Sequence, residues 1–147
     1  MKIAKIDHIC FAVEDLEKTK KIYKENLGLV PVVEYVAESE FIKVARYYIG
    51  EVAVEFMEST GPEGEVAKFV KKRGEGVFLI AYKVDDLDGA LAELKAKGAD
   101  LIDQEPRVLF GTRYAFIQKP NELCGVLTEL IEGDFDTTQV KEAGRKT

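Results

Sequence analysis

Imidazole is nearly missing from this chain: His8 is its one histidine. Thiols are scarce too. Cys10 and Cys124 lie in separate strand-like runs, which makes no disulfide framework and leaves a reduced, cytoplasmic state as the default expectation. There is no surplus of positive charge. Lys and Arg number 21 against 27 Asp and Glu, for a net charge of −6 and a pI near 5.0. Proteins that grip a phosphate backbone usually carry a basic face, so a nucleic-acid partner is not expected. No apolar run is long enough to span a bilayer. Met1-Lys2-Ile3-Ala4-Lys5 leads straight into an alternating strand, so no signal peptide is expected. Cys-x-x-Cys, phosphate-loop and glycine-rich dinucleotide fingerprints are absent. What is present is an ordinary globular balance, 46 % hydrophobic and 33 % charged over 147 residues. That length suits one domain with a sizeable core.

The chain repeats itself. Asp7-His8-Ile9-Cys10-Phe11-Ala12-Val13-Glu14-Asp15-Leu16 returns as Phe78-Leu79-Ile80-Ala81-Tyr82-Lys83-Val84-Asp85-Asp86-Leu87. In this register Phe11 meets Tyr82, Val13 meets Val84, Asp15 meets Asp86, and His8 meets Leu79. Val52-Ala53-Val54-Glu55-Phe56-Met57-Glu58 returns as Val126-Leu127-Thr128-Glu129-Leu130-Ile131-Glu132 at a slightly longer offset, so the second copy carries a few extra loop residues. Two copies are too few for a solenoid and read as a pseudo-twofold domain.

Period-two alternation puts Ile6, His8, Cys10 and Ala12 on one face of a first strand, and Ile9, Phe11 and Val13 on the face expected to pack under a helix. Asp15 suits the N-cap of that helix, with Leu16, Thr19, Ile22 and Tyr23 at helical spacing and Gly28 as the stop. Residues 29–36, broken by Pro31, then 41–49 and 51–57 read as three strands. A helix over 63–73 joins the halves, with Val66, Phe69 and Val70 inward. The second half predicts a strand over 77–84, a helix capped by Asp86 with Leu87, Ala90, Leu91 and Leu94 in register, and strands over 100–102, 114–118 and 126–131. Module 1 thus covers about residues 3–58, the joint 59–76 and module 2 about 77–132. Residues 133–147 read as a loose polar tail.

Glu55 and Glu129 occupy equivalent places in apolar strands. A buried carboxylate is costly unless paired or bound to something. His8, Glu55 and Glu129 together offer one imidazole and two carboxylates, plausible ligands for a divalent first-row metal. The competing arrangement has both glutamates facing solvent on a one-sided sheet, where such alternation is ordinary.

Particular stretches make the pattern specific. They are Ile6-Asp7-His8-Ile9 with Ala12-Val13-Glu14-Asp15-Leu16, Tyr23 with Leu27-Gly28-Leu29, and Ala67-Lys68-Phe69 with Lys72-Arg73-Gly74-Glu75-Gly76. Leu101-Ile102-Asp103 with Glu105-Pro106-Arg107, and Gly125-Val126-Leu127 with Glu129-Leu130, complete the set. Together they resemble the vicinal oxygen chelate superfamily, the glyoxalase and bleomycin-resistance fold, and within it the methylmalonyl-CoA epimerases. The resemblance implies an α+β fold of two βαβββ modules whose mixed sheets curl into a cup, and a homodimer. It also implies four metal ligands, of which His8, Glu55 and Glu129 match three. The remaining position is normally histidine and is Leu79 here. The resemblance gives Glu129 a share in proton transfer. It expects a second carboxylate near residues 41–49, where this chain has Lys43 and Arg46. Arg46 then either anchors a substrate carboxylate or phosphate, or lies outside.

The expected function is therefore metal-assisted proton transfer alpha to a carbonyl or thioester, as in an epimerase, isomerase or lyase, on an acyl-CoA or small carboxylic acid. The metal would be Co, Mn, Zn, Ni or Mg, held weakly because of Leu79. The rival is a non-catalytic small-molecule-binding protein of the same fold with an incomplete metal site.

Overall fold

The computed structural model describes residues 1–118 and 124–145. Its elements run β1 (Ile3–Ala12), α1 (Leu16–Leu27), β2 (Val33–Ala37), β3 (Ile42–Ile49), β4 (Val52–Ser59), α2 (Glu65–Arg73), β5 (Gly76–Val84), α3 (Leu87–Ala96), β6 (Arg107–Leu109), β7 (Thr112–Gln118), β8 (Leu127–Glu132) and α4 (Thr137–Arg145). The βαβββ order thus occurs twice, as the repeat predicts. The chain forms two compact units: a first of His8–Phe78, and a second of Met1–Asp7 with Leu79 onward.

In the first unit the strand order is β2-β3-β4-β1, with β1 parallel to β4 and the other neighbours antiparallel. In the second it is β5-β8-β7-β6, with β5 parallel to β8. The registers repeat as well. His8 lies opposite Ala53 and Cys10 opposite Glu55, while Leu79 lies opposite Leu127 and Ala81 opposite Glu129. Each of these pairs maps onto the other under the alignment read from the sequence.

Each unit closes a core between sheet and helix. Val13, Leu16, Ala45, Tyr47 and Phe56 form the first, joined by Phe11 and Tyr23. Val84, Leu87, Ala115, Ile117 and Leu130, with Ala90, Leu91 and Leu101, form the second, joined by Tyr82. Phe11, Val13, Tyr82 and Val84 pack as expected. Ile9 and Ile80 stay half-buried outside these clusters, and Ile22 is exposed. Tyr23 takes the inner position on α1, its ring tilted against that of Phe56 with centroids 4.6 Å apart.

Both helices start as the sequence predicts. Asp15 accepts from Lys18 N and Asp86 from Gly89 N. Gly28 closes α1 at φ 67°, a left-handed conformation that only glycine adopts readily. A second glutamate assists each start. Glu58 accepts from Leu16 N at 2.8 Å and Glu132 from Leu87 N at 3.0 Å, placing negative charge at the positive helix end.

Two expectations are corrected. Residues 100–102 form no strand, and β6 lies instead at Arg107–Leu109. The Asp103 carboxylate accepts from Phe116 N at 2.9 Å, taking the donor that a ladder carbonyl would use. The loose tail is a helix over most of its length. Asp136 precedes α4 and its carboxylate accepts from Thr138 N at 2.9 Å, while Val140 is buried. Residues 146–147 lie outside the described residues. The extra residues of the second copy fall between β7 and β8, where 119–123 also lie outside them. Among the described residues no helix is long and apolar enough to cross a membrane.

Candidate functional site

β1 and β4 run side by side, so same-face residues at matching register touch laterally. Cys10 and Glu55 are such a pair, and His8 lies two residues back on the same face. All three are buried: His8 is 6 % exposed, Cys10 0 % and Glu55 3 %. Cys10 Sγ donates to Glu55 Oε1 at 3.4 Å, and His8 Nε2 lies 3.9 Å from the same oxygen. One potential donor atom from each of the three residues falls within 4.8 Å of the others.

The other carboxylate oxygen is held from β2 and β3. Tyr35 O–H donates to Glu55 Oε2 at 2.6 Å. Arg46, opposite Glu55 in the β3–β4 ladder, brings Nη1 to 3.4 Å from Oε2. Arg46 Nε donates to Tyr48 O–H at 3.1 Å, with the guanidinium over that ring. Burial and then the facing Glu55 carboxylate push the Tyr35 phenol well above its ordinary value of 10.0. Burial works against the charge on Arg46, but Glu55 and Tyr48 outweigh it and hold its pKa above the usual value. Glu55 is therefore a shared acceptor, fixed on one side by a phenol and a guanidinium and turned on the other toward an imidazole and a thiol.

Of the residues singled out in the sequence, His8, Glu55 and Arg46 come together in the first unit. Glu129 belongs to the second unit, 4 % exposed on β8 between Ala81 and Phe116 of the neighbouring strands. The solvent-facing alternative fails for both glutamates. The corresponding face of the second unit differs at three of the polar positions. Leu79 stands at the register of His8, Ala81 at that of Cys10 and Phe116 at that of Arg46. Arg107 lies over the Phe116 ring and pairs with Asp103 at 2.8 Å.

The model of the glyoxalase/bleomycin resistance protein/dioxygenase superfamily matches residues 7–116. The chain belongs to this superfamily. An uncharacterized protein of Bacillus subtilis is 33 % identical over 133 residues, covering 90 % of this chain and 94 % of that one. The mitochondrial methylmalonyl-CoA epimerase of Bos taurus is 27 % identical over 134 residues, covering 87 % and 74 %. Among solved structures, a variant of Streptomyces coelicolor methylmalonyl-CoA epimerase in complex with 2-nitronate-propionyl-CoA superposes with a TM-score of 0.82. Its identity to this chain is 32 %, with 90 % of this chain and 96 % of that chain covered.

Do the residues of this superfamily member fit a divalent metal? A tetrahedral ion with bonds of 2.0–2.3 Å has its donors about 3.3–3.8 Å apart. The Cys10–Glu55 separation of 3.4 Å lies in that range, and the His8–Glu55 separation of 3.9 Å lies just beyond its upper end. Hydrogen-bonded partners behind a ligating carboxylate are the normal outer layer of a metal site, and Tyr35 and Arg46 stand in that position. The set fits.

Sequence reasoning did not assign Tyr35 a role. Its signal was the alternation within β2, where Val33, Tyr35 and Ala37 turn inward and Glu34 and Val36 outward. Cys10 was placed on the face of His8, but its partner depends on the β1–β4 register.

Proposed function

We propose that this chain catalyses epimerase-type proton transfer alpha to the carbonyl of an acyl-CoA thioester or small carboxylic acid, in the cytoplasm. The observation that carries the reading is the buried Glu55 carboxylate, anchored on one oxygen by Tyr35 and Arg46 and turned with the other toward His8 and Cys10. Similarity to methylmalonyl-CoA epimerases supports the substrate class. His8 and Glu55 would hold a divalent metal, which supplies Lewis-acid polarisation of the substrate carbonyl. Tyr35 and Arg46 keep the Glu55 oxygens in one orientation. Arg46 also places positive charge where it favours a substrate carboxylate. Glu129 moves the proton on one face of the alpha carbon, the share in the transfer that the resemblance gives it.

The test is solvent exchange. The protein is incubated in D2O with methylmalonyl-CoA or ethylmalonyl-CoA and cobalt, manganese or zinc, and α-deuterium is read by mass spectrometry. Incorporation is expected, falling roughly 100-fold or more in Glu129→Gln, the usual scale for loss of a general acid–base. No incorporation with any metal overturns the reading.

Leu79 favours a second reading, a binding protein of the same fold. An apolar side chain stands where the repeat and the resemblance place a second imidazole. In that case calorimetry shows thioester binding while no deuterium enters.

A further inference from the structure

We infer that Cys10 is a metal ligand, so that this chain builds a sulfur-containing centre from His8, Cys10 and Glu55. The inference rests on the part of the proposal above that has His8 and Glu55 hold a metal, and it does not depend on the substrate.

Three observations carry it. Cys10 Sγ points at the same Glu55 oxygen that faces His8 Nε2, so the three donors converge on one place. The convergence is built into the backbone. Cys10 and Glu55 are register partners on parallel strands, and His8 precedes Cys10 by one pleat on the same face. Finally, the second unit keeps the glutamate but has Leu79 and Ala81 in place of the imidazole and thiol. The thiol and imidazole occur together beside the carboxylate that has Arg46 behind it, and Ala81 and Leu79 take their register positions beside the carboxylate that has Phe116 there.

A buried cysteine is more often a small apolar core residue. Here its neighbours on the same face include an imidazole and a carboxylate beside the apolar Ala12, while the main apolar cluster of the unit lies on the opposite side of the strands.

The consequence is a change of preferred metal. A thiolate is a soft ligand that selects zinc or cobalt(II), whereas carboxylate and water suit magnesium and manganese. On binding, the Cys10 S–H bond breaks, sulfur takes the metal and the proton leaves to solvent. Thiolate and Glu55 carboxylate together offset the charge of a divalent ion. Arg46 beside Glu55 then leaves the centre with one positive charge in excess, a setting that favours an anionic ligand in a remaining coordination position.

Cobalt(II) is the probe, because a cobalt–thiolate bond gives an intense near-ultraviolet charge-transfer band that nitrogen and oxygen ligands do not. The titration uses the full chain carrying Cys124→Ser, since Cys124 is the exposed second thiol. The expected result is a saturable band at one cobalt per chain, abolished by zinc and unaffected by millimolar magnesium. Cys10→Ala should lose the band, bind cobalt at least tenfold more weakly and release one proton fewer per metal bound. Cys10→Ser, nearly isosteric, should also lack the band and decides the matter if the alanine variant does not fold. A band that persists in Cys10→Ser overturns the inference, as does cobalt binding without a band in the parent or no cobalt binding at all. Loss of the inference with α-deuterium exchange intact leaves the epimerase reading standing. A Cys10-dependent band without exchange supports the inference and removes that reading.

Discussion

Tyr35 holds its proton under two pressures, burial and the Glu55 carboxylate 2.6 Å away. The sign of the resulting pH effect follows directly. In the unfolded chain the phenol ionises near 10.0, whereas in the fold it does so well above that. The stabilisation is fully present below pH 10 and is lost as pH rises toward the folded value. Tyr35→Phe should therefore flatten the alkaline fall in melting temperature between about pH 9 and 11 relative to wild type. Equal slopes for the two proteins would count against the account. At neutral pH the variant should lose about 1.5–3 kcal/mol in urea denaturation, the scale for a hydrogen bond to a charged group. At this scale the sequence is informative where an expensive residue type stands in an apolar run. Glu55, Arg46 and His8 are legible for that reason. Tyr35 is not, because a tyrosine in a strand is cheap and Pro31 blurs where β2 begins. The Cys10–Glu55 contact is hidden for another reason. Alternation gives the face of each strand, but nothing in either strand alone gives their register.

Glu58 and Glu132 show the same limit among elements. The sequence pairs them as repeats, yet their work appears only once β4 and β8 lie beside α1 and α3. Each accepts from the first N–H of a helix, and each also meets a cation opposite it, Lys43 at 2.9 Å and Arg113 at 3.1 Å. Glu58→Gln and Glu132→Gln should each cost about 1–2 kcal/mol, since a charged acceptor at a helix start is replaced by a neutral one. Denaturation curves check this, and a large cost for one variant with none for the other would break the equivalence. Helices and N-caps are legible because their signals are local: Asp15, Asp86 and Gly28 all act within a few residues. β6 and α4 are less so. Arg107–Leu109 is three residues long, and Asp103 imitates a strand neighbour. The start of α4 depends on Asp136, whose N–H is held by Phe110 O at 2.7 Å. Nearby, a side chain on Gly111 would collide with Asp134 O at 2.9 Å, a close approach that only glycine permits.

Over the whole molecule, the sequence shows its order through repetition. Val13 and Val84, Leu16 and Leu87, Ala45 and Ala115, Tyr47 and Ile117, and Phe56 and Leu130 take corresponding places in the two cores. A homodimer is the expected assembly. β2 ends the strand order of its unit, and Val36 on it, with Val30 and Val32 before it, is more than half exposed. Such an apolar terminal strand invites a partner. Light scattering at high micromolar concentration should give twice the chain mass of 16.4 kDa, and a monomer mass would exclude the assembly.

The register-by-register repeat gives each core substitution in the first unit a structural counterpart in the second. Phe56→Ala and Leu130→Ala remove equivalent core side chains, so their costs estimate what the scaffold alone contributes. Cys10→Ala has no such counterpart, because its blank, Ala81, is already in place. The molecule thus contains a reference for its own scaffold, against which the energetic signature of the His8–Cys10–Glu55 face can be read without a second protein.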